Sequence, residues 1–154
     1  MPSKRLKYFL DSNKVPYQIM NHPIAFSALE ISQSSHIPEN SLAKSVIVKT
    51  PTKMLMCVIS ANEVLDLVLL KTVLNLKDIA LATEEEFARE FPDCEVGAMP
   101  PFGNLYEMDI YISDKLAQNT EIFFNAGNHS EVIKVSYKAY DALVHPKKAH
   151  ITIP

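Results

Sequence analysis

Apolar positions recur along the chain with two spacings, one typical of amphipathic helices and one typical of strands. The helical spacing predicts helices over residues 4–13, 65–75 and 137–144. Runs rich in β-branched and aromatic residues predict an extended segment over 17–20 and strands over 44–49, 54–60, 106–112, 121–124 and 132–136. Several of these strands are joined by connections too short for a helical crossover. The predicted fold class is therefore mixed α/β (α+β), with a mostly antiparallel or mixed sheet.

Polar residues that can bond free backbone N–H groups mark the starts of helices. Ser3 is placed to cap the first helix. Ser27 with Glu30, and Thr83 with Glu86, have the spacing of capping boxes. These two pairs predict two further short helices.

No internal repeat, low-complexity segment or flexible linker interrupts this alternation. A chain of 154 residues buries about 70% of its surface on folding, so we expect one domain over residues 1–154. The first apolar run, residues 8–10, is too short for a secretion signal, and the two cysteines are too far apart for a Cys-x-x-Cys pattern. The expected compartment is the cytoplasm.

The charge balance argues against a protein that coats nucleic acid. The chain has 15 Lys and Arg residues and 18 Asp and Glu residues, which gives a formal net charge of −3. A local basic patch that binds the end of a nucleic acid is compatible with this balance.

Lys44 begins the first long strand, where alternation puts it on the same face as Val46 and Val48. This is the more apolar of the two faces. Because an unpaired buried charge is costly, the ammonium group either extends to the edge of the sheet or holds an anion in a pocket. The pattern alone leaves both interpretations open.

The segment 91–103 contains two of the three glycines and three of the ten prolines. Glycine lets a backbone approach a ligand and present N–H groups to it, while Pro100 and Pro101 restrict the loop. This segment is either a ligand-binding loop or an irregular connection to the next strand.

The third glycine lies within residues 125–130, Asn-Ala-Gly-Asn-His-Ser. This composition predicts a hairpin turn with positive φ at Gly127 and Asn128. His129 at its tip is either a polar turn residue or a ligand contact.

Several kinds of site lack their motifs. The sequence has no dinucleotide-binding Gly-x-Gly-x-x-Gly, no phosphate-binding loop and no serine-hydrolase elbow. His145 and His150 are interrupted by Pro146 and support a zinc site only weakly. Cys57 lies within a strand, and nothing adjacent activates Cys94. We predict no metal and no cofactor, and no nucleophilic side chain is evident.

Short motifs occur in a fixed order from His22 to Val144, nearly the whole chain. They are His-Pro at 22, Ser27 with Glu30, Ser-His-Ile-Pro at 35, Ala-Lys-Ser-Val-Ile-Val at 43, Asn62 before Leu-Asp-Leu at 65, Gly-Ala-Met-Pro-Pro-Phe-Gly at 97 and Ala-Gly-Asn-His at 126. Together they resemble the YbaK/prolyl-tRNA-synthetase-associated domain family of aminoacyl-tRNA deacylases, whose members hydrolyse mischarged tRNA, notably alanyl- or cysteinyl-tRNA for proline. The resemblance implies a mixed, partly open β-barrel surrounded by helices.

The resemblance implies that Lys44 is the essential lysine that contacts the tRNA 3′ end and supports hydrolysis. It also implies that the turn around Gly127, Asn128 and His129 confines the aminoacyl group. Some relatives carry Gly-x-x-x-Pro in that turn, whereas this chain has glutamate at position 131 and matches the pattern only from Gly97. The other expected substrate-binding residues are His22, Phe26, Ser27, Ser45, Ser60, Gly97, Pro101, Phe102 and Gly103.

The implied partner is the acceptor end of a tRNA that carries a small mischarged amino acid, with prolyl-tRNA synthetase as a second partner and neither DNA nor a membrane expected. An aminoacyl ester is already activated, so a site can act by excluding wrong side chains, positioning a water and stabilising the oxyanion. The base is then supplied by the ribose hydroxyl or by the thiol of a cysteinyl ester. Two alternatives remain: a non-catalytic module that binds aminoacyl-tRNA or an amino acid beside a synthetase, and an unrelated enzyme that uses Cys94 or Cys57.

Overall fold

A computed structural model of the chain describes residues 3–22 and 37–154. The short helix predicted from Ser27 and Glu30 lies outside these residues. The described helices and strands are α1 (Lys4–Ser12), β1 (Gln18–Asn21), β2 (Ala43–Lys49), β3 (Met54–Ser60), β4 (Val64–Leu65), α2 (Leu67–Leu74), β5 (Ala80–Leu81), α3 (Glu84–Ala88), β6 (Ile110–Ser113), β7 (Glu121–Asn125), β8 (Glu131–Ser136), α4 (Tyr137–Val144), β9 (Lys147–Ala149) and β10 (Thr152–Ile153).

The described strands form three sheets. One has the order β5-β2-β3-β6-β9, one has the order β1-β8-β7, and β10 pairs with β4. The pairs β3–β6 and β6–β9 are parallel and the other pairs are antiparallel, which confirms the predicted mixed sheet. An isolated parallel bridge between Leu42 and Phe123 joins the start of β2 to β7. In the described part of the chain the sheets therefore meet at one seam without closing into a barrel.

The β2–β3 hairpin separates two hydrophobic cores. The main core contains Ala43 and Ile47 from one face of β2, and the second core contains Val48 from the other face. This arrangement confirms the alternation predicted for the strand. Buried partners in the main core include Met56, Val58, Met99, Phe102, Phe124 and Tyr140, and those in the second core are Leu55, Cys57, Ile59, Leu70 and Ile151.

The predicted helix caps form wherever the structure describes them. The Ser3 hydroxyl accepts a hydrogen bond from the backbone N–H of Leu6. Thr83 and Glu86 form both hydrogen bonds of a capping box. Helix α2 begins later than predicted, because Asp66 caps it instead of joining it.

One predicted strand had the wrong bounds, and four short strands were not predicted. Residues 103–106 form a 3-10 helix, and Glu107 then adopts φ +60°, so β6 begins at Ile110 and not at residue 106. The sequence pattern did not predict four strands of two or three residues: β4, β5, β9 and β10. Strands this short are defined by the partner they meet in the folded chain, and not by their own composition.

The helices in the described part of the chain are not long and apolar enough to span a membrane.

Candidate functional site

The two glycine-containing segments meet in the folded chain. We call residues 91–103 the Gly97 loop and residues 125–130 the Gly127 turn. The backbone N–H of Glu95 donates to the carbonyl oxygen of Gly127 at 2.7 Å. The His129 ring nitrogen Nε2 lies 2.8 Å from the carbonyl oxygen of Val96 and donates to it. These two hydrogen bonds thus hold together segments about 30 residues apart in sequence.

Both loop glycines adopt backbone that other residues rarely adopt. Gly97 has φ +85°, and a Cβ placed there would lie 3.5 Å from Cε1 of His129. Gly127 has φ +99°, and its Cβ would lie 3.0 Å from Cβ of Ser3. The close approach of α1 to the turn therefore requires glycine at position 127.

We expect Gly127→Ala to lower the free energy of unfolding by about 1–3 kcal/mol, because a side chain is disfavoured at this φ and collides with Ser3. Gly97→Ala is the matched comparison, since its added Cβ meets only an ordinary contact distance, and its loss should be smaller. Urea denaturation measures both. Equal stability of Gly127→Ala and the wild type would contradict this account of the turn.

Asn128 and His129 are both 7% exposed. The Asn128 oxygen Oδ1 accepts hydrogen bonds from the backbone N–H groups of Ser130 and Glu131, at 2.9 and 2.8 Å. Positive φ was predicted for both Gly127 and Asn128, but only Gly127 has it; Asn128 shapes the turn through its side chain instead. The Glu95 carboxylate lies 3.9 Å from Nε2 of His129, so the ring has polar neighbours although it is buried.

Four other predicted residues hold the Gly97 loop against the main core. The Ser45 hydroxyl donates to the carbonyl oxygen of Met99 at 3.1 Å. Phe102 is fully buried, and the Tyr140 hydroxyl donates to the carbonyl oxygen of Pro101 at 2.5 Å. A Cβ at the fourth residue, Gly103, would lie 3.1 Å from Ile110. The structure places these four residues where they fix the shape of the loop.

Lys44 lies on the opposite face of β2 from Ser45. It is paired with Ile59 of β3 and is half-buried. Burial lowers the pKa of its ammonium group, and the negative charge of Glu63 opposes that change. Lys44 of β2 lies two residues after Leu42, and Asn125 of β7 lies two residues after Phe123, the residue that Leu42 bridges. Lys44 therefore stands at the seam between the sheets, beside the strand that leads into the Gly127 turn.

Glu63 is a buried carboxylate that the sequence did not indicate, because a glutamate after Ala-Asn is typical of an exposed turn. It is 5% exposed and accepts hydrogen bonds from the Ser60 backbone N–H at 3.0 Å, the Ser113 hydroxyl at 2.8 Å and the Thr152 hydroxyl. Burial by itself raises the pKa of this carboxyl, but the hydrogen bonds outweigh burial and hold it below its usual value. A negative charge is thus fixed near Lys44.

Ser60, expected to bind substrate, is 2% exposed, and its hydroxyl lies 2.7 Å from Oε1 of Glu63. A cavity of about 420 Å³ adjoins these two residues and is also lined by Lys115. His22 extends β1 toward the Gly127 turn, because its backbone N–H donates to the carbonyl oxygen of Ser130 at 2.9 Å. Phe26 and Ser27 lie outside the described residues.

Both thiols are held in their protonated form. Burial raises the pKa of Cys57 to about 12 and that of Cys94 to about 11. Within residues 3–22 and 37–154, no group of three or more His, Cys, Asp or Glu side chains is placed to hold a metal ion. The candidate site thus combines the ammonium group of Lys44 at the seam with the backbone of the Gly97 loop and the Gly127 turn.

Comparison with solved structures identifies the fold. A protein proposed to be a trans-editing enzyme for prolyl tRNA synthetase is 19% identical over 99% of this chain and 97% of its own, with a TM-score of 0.83. The hypothetical protein APE2540 is 14% identical over 97% of this chain and 100% of its own, with a TM-score of 0.87. A protein of Marinobacter aquaeolei VT8 proposed to act in signal transduction is 14% identical over 97% of this chain and 30% of its own, with a TM-score of 0.77. At these identities the similarity shows the fold.

The sequence itself matches a family model. No curated protein matches the chain. The model of the aminoacyl-tRNA editing domain matches residues 22–143, which is most of the chain and includes Lys44, the Gly97 loop and the Gly127 turn. The chain therefore belongs to the aminoacyl-tRNA editing domain family, the YbaK family.

Proposed function

We propose that residues 1–154 form one editing domain that acts in the cytoplasm and hydrolyses the ester of mischarged tRNA, with alanyl- or cysteinyl-tRNA for proline as the substrate. The observation that carries this proposal is the position of Lys44 within the region matched by the family model. Its half-buried ammonium group lies at the seam where β2 meets the strand leading into the Gly127 turn.

In this proposal the ammonium group of Lys44 binds the negative charge of the tRNA end or of the reacting ester oxygen. Partial burial removes water that would compete for this cation, so its attraction for an anion is stronger than at an open surface. The fixed charge of Glu63 favours the protonated form of Lys44. The buried carboxylate thus opposes the loss of positive charge that burial of Lys44 favours.

The reaction needs no nucleophilic side chain. A water oxygen attacks the ester carbonyl carbon, the bond from that carbon to the ribose oxygen breaks, and the ribose oxygen takes a proton. The products are a free amino acid and a tRNA with an intact 3′ end. Backbone N–H groups of the Gly97 loop and the Gly127 turn supply rigid donors for the oxyanion, and the ribose hydroxyl or a substrate thiol supplies the base.

Thiol chemistry gives an independent check. We expect iodoacetamide at pH 7 to leave ester hydrolysis unchanged, because pKa values of about 11 and 12 keep both thiols protonated. The rate is measured before and after treatment, with mass spectrometry to count modified thiols. Loss of activity in step with modification of Cys94 would favour the unrelated thiol enzyme instead.

The decisive experiment measures the rate of ester loss from alanyl-, cysteinyl- and prolyl-tRNA for proline. Fast loss of one mischarged form, with prolyl-tRNA spared, would support the proposal and name the substrate. Tight binding of the mischarged tRNA without faster ester loss would overturn hydrolysis and favour the non-catalytic binding module.

Binding to tRNA has a separate signature. We expect the affinity for the charged tRNA to fall steeply as salt rises, because each lysine or arginine that contacts a phosphate displaces counterions. Exposed basic residues at the two ends of the described chain, among them Lys4 and Lys147, are candidates for these contacts. Affinity that does not change with salt would indicate recognition of the terminal aminoacyl-adenosine alone.

A further inference from the structure

Asn125, the last residue of β7, carries a polar atom that the fold does not satisfy. Strand alternation sends Ile122 and Phe124 into the main core and places Phe123 and Asn125 on the other face. The Asn125 oxygen Oδ1 is fully shielded from solvent, and among the described residues no group donates a hydrogen bond to it.

A shielded oxygen without a donor is costly, because it has lost its bonds to water and gained nothing in return. The strand position itself does not require asparagine: Asn125 pairs with Val132 of β8, and its neighbours on β7 are apolar or aromatic. A residue that opposes folding in this way is typical of a functional site, where a ligand supplies the missing partner.

Across the seam, Lys44 of β2 lies as far beyond the Leu42–Phe123 bridge as Asn125 of β7 does. Both residues stand two positions beyond the Leu42–Phe123 bridge, on parallel segments, and therefore on the same face. Paired strands lie about 4.8 Å apart, and in the described chain β2 and β7 are paired at the bridge between Leu42 and Phe123. One short ligand can therefore contact both the ammonium group and the amide oxygen if it carries an anionic group and a donor a few bonds apart.

A reacting aminoacyl ester has this pattern, because its α-ammonium group is one carbon away from the ester carbonyl carbon, whose oxygen becomes negative when water attacks. We infer that Asn125 Oδ1 accepts a hydrogen bond from the α-ammonium group of the substrate and so holds the ester carbonyl beside Lys44. This inference rests on the proposed function and narrows the substrate class to esters of amino acids whose α-amino group is free. A neutral amide suits the task, since a carboxylate at this position would pair with Lys44 and neutralise it.

The test compares an aminoacyl-tRNA that the wild type hydrolyses with its N-acetylated form. We expect the wild type to prefer the free amine. Asn125→Leu should lower kcat/KM for the free amine about 10–100-fold, as expected for the loss of a hydrogen bond to a charged group, and leave the N-acetylated form unaffected. Asn125→Asp should retain the preference for the free amine but hydrolyse both forms more slowly, because its carboxylate pairs with Lys44. Gln18→Leu, the same amide-to-apolar change on the exposed strand β1, should change nothing.

A stability measurement separates this role from a structural one. Because Asn125→Leu removes an unsatisfied oxygen, we expect its urea midpoint to equal or exceed that of the wild type. An equal loss of activity on the free and N-acetylated substrates would show that Asn125 only supports the strand, and would overturn the inference. So would a wild type that hydrolyses both forms equally well.

Two further experiments identify the group that donates to Asn125 and distinguish failure of this inference from failure of the proposed function. Because the proposed function assigns the base to the ribose hydroxyl, binding and not turnover identifies the donor. If the effect of Asn125→Leu on the affinity disappears for a non-hydrolysable aminoacyl-adenosine that lacks the 2′ hydroxyl, the donor is that hydroxyl and the α-ammonium assignment is wrong. A non-hydrolysable probe, adenosine with alanine joined through a 3′ amide, tests binding by calorimetry without any turnover. We expect Asn125→Leu to bind this probe about 10-fold more weakly than the wild type does. Unchanged binding would overturn the inference about Asn125 even where hydrolysis is confirmed. If the wild type binds the probe through Asn125 but does not hydrolyse the ester, only the proposed function is overturned.

Discussion

Replacing Lys44 with alanine should lower the rate of ester hydrolysis roughly 10²–10³-fold, the loss expected when one preorganised donor is removed from a developing negative charge. The free energy of unfolding should change by less than about 1 kcal/mol, because Lys44 is half-buried and lies at the start of its strand. Single-turnover hydrolysis of the mischarged tRNA measures the first effect, and urea denaturation measures the second.

Lys49→Ala is the matched control for this variant. Lys49 ends the same strand and pairs with Glu86 on the surface at 2.8 Å, so its removal should leave hydrolysis intact. A fully active Lys44→Ala variant would show that the lysine does not act in the reaction and that its ammonium group only reaches the edge of the sheet.

Glu63→Ala should be the most destabilising substitution, with a loss of about 3–5 kcal/mol in the free energy of unfolding. The substitution leaves the buried hydroxyls of Ser60, Ser113 and Thr152 without their shared acceptor. Urea denaturation at pH 7 measures the loss, with the exposed Glu90→Ala as control. A variant as stable as the wild type would mean that water or another group replaces the carboxylate.

The pH dependence of stability tests the same carboxylate. Its pKa in the folded protein lies below the ordinary value of 4.5, so the folded state favours the charged form. The stability it contributes is complete above about pH 5 and is lost as the pH falls through 4.5 toward the lowered pKa. Glu63→Gln has no such group, so its stability deficit should be larger at pH 7 than at pH 3. A deficit independent of pH would contradict the assignment.

Local sequence signals predicted much of the fold. The hairpin strands β2, β3, β7 and β8, the helix α4 and the caps at Ser3 and Thr83 rest on side-chain alternation and hydrogen bonds between near neighbours. The strand pairs β4–β10 and β6–β9 join segments far apart in sequence, and no local pattern encodes them. The error at residue 106 has the same origin, since the buried Tyr106 belongs to a 3-10 helix that packs against the main core.

The candidate site divides in the same way. The glycine and proline content indicated both loops as candidates for ligand contact. The resemblance to a family indicated Lys44 as the functional lysine of its strand. Glu63 and Asn125 carried no local signal, because their importance depends on burial and on neighbours from other strands. A charged or amide residue becomes informative only when the fold takes it out of water.

The carboxylate of Glu63 also has an evolutionary consequence. Its hydrogen bonds join the ends of β3 and β6 to β10 through residues 50 and 89 positions away in sequence. Losing the acid alone leaves buried hydroxyls unpaired, whereas replacing acid and hydroxyls together by apolar groups is nearly neutral. Related chains should therefore change positions 63, 113 and 152 as a set, and a relative with an apolar residue at 63 should have lost the hydroxyls at the other two.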